Sequence, residues 1–354
     1  MLLKTFENRL VDNVLEGLWR QWSAIGVAGH GSIPEGLVVD PEALLAATLT
    51  IGRRDPRLFD EVLDWLTVNG DLLNVGRLHT MMHSHGFRGG RALAGVARVL
   101  AKDKGLRYRW KPERGQDSGP QFSSAEVLFH DRSGNPLPRP RDPDPDFLEV
   151  GLQRERVVHR GLSRPFPLRG AASLLLRLRA LIGLNSRCEL ICLLASRPAV
   201  SGSEAAFLAS YSPRTIQGAL SDMGRSGALR TQPVGKQVRY SLVPGALSGL
   251  LPEADICFPP APVLLATLEI IAAAARQCIE MNASLSATAA LIRREIEPLH
   301  PVLARAGLTH VLAATANAPA NSFLPALQGD TAELLRSWYA ETKGVTTPGN
   351  KATA

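Results

Sequence analysis

The sequence predicts a mainly α fold: a helical N-terminal domain, a central winged helix-turn-helix with a β-hairpin wing, and a helical C-terminal region. Three observations predict it. The chain has 354 residues, 45% of them hydrophobic but only 5% aromatic, and its abundant Leu and Ala favour helices over sandwiches or barrels. Asp40-Pro41, Asp55-Pro56 and Ser212-Pro213 each pair a capping side chain with proline at the first helical position, where its missing N–H is not needed. Residues 229–234 and 237–242 read as two strands joined by the two-residue turn Gly235-Lys236.

The N-terminal domain covers residues 1–111. Over 6–22, Leu10, Val14, Leu15, Leu18 and Trp22 recur at helical spacing. Gly26, Gly29 and Gly31 lie in a loop without P-loop spacing or a closing Gly-Lys-Ser/Thr. Helices over 41–51 and 56–69 follow their Asp-Pro starts, and Asn74 caps another over 75–83. A fourth, over 89–104, carries Leu93, Val96, Ala97 and Leu100 on one stripe.

Residues 112–167 read as a Pro-rich linker or arm. Pro136, Pro138, Pro140, Pro143 and Pro145 exclude a helix there. One strand fits 122–129, and Asp142, Asp144 and Asp146 read as solvated acids rather than a two-metal site. Residues 168–183 return to helix, with Leu174, Leu175, Leu178 and Leu181 apolar and Arg177 and Arg179 expected outside. After residue 250, helices are expected over 263–281, 286–296, 298–306 and 331–342, closing a C-terminal domain of 251–343. The polar residues 344–354 read as a disordered tail.

The stretch from 185 to 242, within a unit of 168–250, organises the chain. Asn185 or Ser186 caps a first helix carrying Leu190, Leu193 and Leu194, which Pro198 ends. Ser201 caps a second, with Glu204 as its capping-box partner. Ser212 caps a third, on which Ile216, Ala219, Leu220 and Met223 share one face, and Gly227 ends it. Arg187-Cys-Glu-Leu-Ile, Ser212-Pro-Arg-Thr-Ile, Gly227-Ala-Leu and Arg239-Tyr-Ser-Leu together resemble the ArsR/MarR-type winged helix-turn-helix regulators. The resemblance implies that the third helix enters the DNA major groove, and that the wing follows the backbone. It assigns Ser212, Arg214, Thr215, Gln217, Gly218 and Ser221 to the groove-facing side, and Lys236, Gln237 and Arg239 to the wing. It also implies a homodimer, for which the apolar helix over 263–281 is the candidate interface.

Charge agrees with a nucleic-acid partner. Residues 151–250 hold 14 Lys plus Arg against 4 Asp plus Glu, a net of +10 in a chain whose total is +7. The expected function is therefore a sequence-specific double-stranded DNA-binding transcriptional regulator. The segments 55–66 and 178–187 resemble, more weakly, helix-turn-helix proteins encoded beside nucleotidyltransferase-type toxins. That likeness implies an antitoxin and autoregulator with a toxin as partner protein. The alternative from another class is a protein-interaction adaptor whose winged helix no longer binds DNA.

Enzyme signatures are missing: there is no Gly-x-Ser-x-Gly, kinase set, dinucleotide fingerprint after a strand, or CxxC pair. No cofactor is expected. His79, His83 and His85 are read as a polar helix end rather than a zinc site, because no acidic or thiol ligand lies near them in sequence. Cys188 and Cys192, at i and i+4, share their helix with core leucines and are read as buried thiols rather than a sensor. Four cysteines form no disulfide framework, there is no secretory signal pattern, and the longest apolar runs, such as 263–268, are too short to span a bilayer. A cytoplasmic protein without a membrane partner is the expectation.

Overall fold

The computed structural model describes residues 2–29, 31–111 and 125–340. The expected tail and the first part of the arm lie outside the described residues. The architecture is mainly helical, as expected.

Five helices open the chain: α1 (Leu2–Ala24), α2 (Pro41–Thr48), α3 (Pro56–Asn69), α4 (Val75–His85) and α5 (Gly90–Leu100). Their starts follow the cap chemistry. The Asp40 side chain accepts from the Ala43 amide, Asp55 from Leu58 and Asn74 from Arg77. Helix α2 stops short of residue 51, where the chain tightens into a 3-10 turn at Ile51–Arg54.

The arm is extended but packs as part of the fold. It contains β1 (Glu126–Val127), α6 (Pro145–Leu148) and β2 (Leu152–Gln153), and β1 pairs with β2 in parallel. Phe129, Phe147 and Leu152 are buried. Phe147 sits so close to α5 that a methyl at Gly95 would lie 2.6 Å from its ring, which only glycine avoids. Asp64 accepts the amides of Gly161, Leu162 and Ser163 at 2.9, 3.0 and 2.9 Å, so backbone donors hold the arm to α3. The reading of three solvated acids holds for Asp142, which pairs with Arg156 at the surface. Asp144 and Asp146 are buried instead. Asp144 caps α6, and Asp146 meets Lys102 Nζ at 2.5 Å.

The central unit comprises α7 (Leu174–Ile182), α8 (Ser186–Ser196), β3 (Val200–Ser201), α9 (Gly202–Ala209), α10 (Pro213–Arg225), β4 (Leu229–Val234) and β5 (Gln237–Leu242). The strands form an antiparallel sheet in the order β3-β5-β4, with Val234 opposite Gln237 across the turn. Gly235 takes the positive φ, 58°, that the first position of a type II′ hairpin turn requires. Ser201 and Glu204 form the full capping box that starts α9. Two expectations for α7 are reversed. Leu181 is 63% exposed, and Arg179 is fully buried.

The chain closes with α11 (Ala261–Glu280), α12 (Leu285–Ile296), α13 (Leu299–Arg305), α14 (Ala313–Asn317) and α15 (Phe323–Tyr339). Helix α15 starts well before residue 331, and α14 has no counterpart in the periodicity. Helix α11 is long and apolar enough to cross a bilayer, but 72% of its apolar stretch is buried inside the fold. Helices α1, α2, α4, α12, α13 and α15 cover it. This corrects its assignment as a dimer interface: an amphipathic surface helix leaves one face free, whereas α11 is apolar nearly all round and serves as the core.

Candidate nucleic-acid interface

Helix α10 is oriented by its apolar face. Ile216, Ala219, Leu220 and Met223 are buried against α8, α9 and β4. The opposite side therefore faces solvent, and Ser212, Arg214, Thr215, Gln217, Gly218 and Ser221 are all exposed on it. The Ser212 hydroxyl accepts from the Thr215 amide at 3.2 Å, which fixes the first turn. Gly218 has no atom within 4 Å of its missing side chain, so the backbone there is open to close approach. Lys236 and Gln237 stand exposed at the wing tip.

Two expected contacts are already engaged within the protein. The Gln217 amide donates to the Tyr240 hydroxyl at 3.3 Å. Arg239 reaches back to the Ala199 carbonyl at 2.8 Å and to Glu204 at 3.4 Å. Arg239 thereby ties the wing to the start of α9, and its charge is partly neutralised.

The basic excess divides in the same way. Arg179 is internal, Arg154 is buried beside Asp60, and Arg160 pairs with Glu61. Arg187 and Arg225 share Asp222, at 2.5 and 3.8 Å. Among the described residues from α8 to β5, Arg214, Arg230 and Lys236 are exposed with no carboxylate partner, and Arg164 and Arg169 ahead of α7 are exposed in the same way.

Beneath the turn between α9 and α10 lies a buried polar network that sequence spacing did not suggest. Arg77 of α4 grips Asp40 through two guanidinium nitrogens at 2.8 and 2.6 Å, and meets Glu42 at 2.8 Å. Its Nε donates to the Ala209 carbonyl at 2.8 Å, inside the helix-turn-helix itself. Arg179 joins Glu42 at 2.7 and 2.8 Å and Glu189 at 2.6 Å. The Tyr211 hydroxyl donates to Glu189 at 3.2 Å and accepts from Asn74 at 2.9 Å. Burial by itself disfavours every charge here. It pushes Asp40 upward, but Arg77 beside it prevails and holds the carboxyl below its ordinary value. Burial and then Glu189 push the Tyr211 phenol far above its usual range, so it stays a neutral donor. A signal for Arg179 was present: it lies four residues after Leu175, on the inward stripe of α7.

The cysteines and histidines occupy other places. Cys188 and Cys192 are buried on α8, and burial followed by Glu189 raises both thiols, Cys188 to about 11. His85 packs edge-on against Phe207, and burial followed by the Arg77 charge lowers it to about 4. His79 and His83 lie exposed on α4. Among the described residues no group of three or more His, Cys, Asp or Glu side chains converges on a metal-sized site. No protein-family model matches the chain, and comparison with characterised proteins and solved structures returned no match.

Proposed function

We infer that this chain is a double-stranded DNA-binding transcriptional regulator that acts in the cytoplasm without catalysis of its own. The observation that carries the reading is helix α10: its core face is fully buried while Arg214, Thr215, Gln217, Gly218 and Ser221 present an uncovered polar face beside a wing tipped by Lys236. In this reading the N-terminal turns of α10, with Arg214, meet base edges in the major groove, and Arg230 and Lys236 meet phosphates. Two phosphate contacts, from Arg230 and Lys236, correspond to a slope of log K against log salt of about −1.8 per protomer, at about 0.9 per contact, while Arg214 is reserved for a base edge. A homodimer on two half-sites doubles it.

The test is affinity selection of duplex fragments from the source genome, followed by binding at several salt concentrations. Enrichment of one site with a slope near the value above supports the reading. A second reading, a protein-interaction adaptor, is favoured by the engagement of Gln217 and Arg239 within the protein. It requires that no duplex be enriched.

A further inference from the structure

A second site lies on the far side of α4 from the buried network. Helices α4 and α5 enclose a cavity of about 250 Å³. Its floor is apolar: Met82, Phe87, Leu93 and Trp110 are all buried. Its rim carries His79, His83 and Lys111, all exposed, and no Asp or Glu among the described residues lines it. Lys111 Nζ lies 5.6 Å from the Tyr108 ring centroid and has no carboxylate partner among the described residues. Gly90, the first residue of α5, also lines the cavity, and the preceding Gly89 supplies no side chain to cap that helix. The first-turn amides and the positive end of the helix dipole therefore add to the attraction for an anion. An apolar cavity of ~150 Å³ already accepts benzene, so this one has room for one or two fused rings.

The geometry points to a binding site for a compact aromatic carboxylate, whose ring enters the floor and whose carboxylate meets Lys111 and the start of α5. The same site has a route to the recognition helix. Val75, His79, Met82 and His83 of α4 line the cavity, while Arg77 of that helix holds the Ala209 carbonyl and Asn74 at its cap holds Tyr211. An occupant that shifts α4 moves the support of the turn that aims α10. This regulatory step rests on the DNA-binding reading, whereas occupancy of the cavity does not.

The probe is 1-naphthoate, titrated into the full-length protein by calorimetry, with 1-naphthylmethanol as its neutral counterpart. One equivalent of naphthoate should bind, with naphthylmethanol at least tenfold weaker. Lys111→Glu should weaken naphthoate at least tenfold and leave naphthylmethanol unchanged. Ala94→Phe, at the half-exposed wall of the cavity, should abolish both. Absence of saturable naphthoate binding at millimolar concentration overturns the site. Equal binding of the neutral analogue, or naphthoate binding unaltered by Lys111→Glu, overturns the ligand class. Hydrogen exchange of the Tyr211 amide, which bonds the Ala206 carbonyl, reads the route without DNA. A rate change of at least fivefold on naphthoate binding supports transmission through α4, and an unchanged rate overturns it. Loss of duplex binding under all conditions, with these results intact, counts against the DNA-binding reading alone.

Discussion

Arg77 Nε donates to the Ala209 carbonyl at 2.8 Å, so a buried arginine from the N-terminal helices holds the turn from which α10 projects. The winged unit is thus not an appendage on a linker. Its turn shares one polar network with α2, α4, α7 and α8, and its core residues belong to the same apolar cluster as the rest of the chain.

Removing that arginine leaves the Asp40 carboxyl buried without its main partner. Arg77→Ala should destabilise the protein by about 3–5 kcal/mol, the usual range for breaking a buried pair from one side. Urea unfolding checks it. The pH dependence carries a sign. Asp40 is held below its ordinary 3.8 in the folded state, so its contribution is fully present above that value and is lost as pH falls through the folded pKa. Wild-type stability should therefore drop in acid below about pH 4, and the variant should have less of this drop to lose.

Glu269 gives the opposite sign. It is buried on α11, one oxygen accepts the Arg88 amide at 3.2 Å, and burial raises its carboxyl to about 7. The unfolded chain releases this proton near the ordinary value of 4.5. Folding therefore becomes less favourable as pH rises from about 4.5 to about 7, by on the order of 3 kcal/mol for a shift of this size. Glu269→Gln should flatten that decline in urea midpoints measured from pH 4 to pH 8. An equal decline in the variant would assign it elsewhere.

The core of the winged unit is set by side chains such as Leu220, which is fully buried. Leu220→Ala should cost about 2–5 kcal/mol as a cavity-forming truncation. Ser221→Ala, on the exposed side of the same helix turn, should change stability by less than about 0.5 kcal/mol. Comparable losses at the two positions would mean that α10 is rotated from the orientation described.

Lines of local chemistry were legible in the sequence, and long-range polar contacts were not. The caps at Asp40, Asp55, Asn74, Ser201 and Ser212 act within three residues, so their spacing is visible in the chain itself. The inward face of α10 follows from helical period. Arg179 failed because charge was weighed above its position on the leucine stripe, and no periodicity announces that Glu42 waits for it across the fold. Asp144 and Asp146 failed similarly, since a proline-spaced arm gives no sign of what it packs on. Helix α11 was legible over 263–281 from its composition, but nothing in its own sequence says that α1, α2, α4, α12, α13 and α15 pack on it and leave no free face for a dimer. Of the nine assigned interface residues, all are placed on α10, its cap or the wing, but only the structure reveals that Gln217 and Arg239 have partners within the protein.

Lys236 separates the wing from the rest of the interface. It stands exposed at the hairpin turn without a carboxylate partner. Lys236→Ala should weaken binding to specific and random duplexes alike and reduce the salt slope by about one unit. Filter or fluorescence binding across a salt series measures it, and an unchanged slope would remove the wing from the interface.

Arg214 tests the central claim most directly. It lies in the first turn of α10, exposed and without an ion-pair partner, on the side opposite Ile216. A guanidinium there suits the O6 and N7 of guanine through two hydrogen bonds. Site selection from a random duplex library, run in parallel with wild type and Arg214→Ala, is the deciding measurement. Direct readout predicts that the variant loses about 1–3 kcal/mol for the cognate site and relaxes its preference at one base pair. An identical base preference in the two proteins, or no selected site with either, would contradict recognition of DNA by this face of α10.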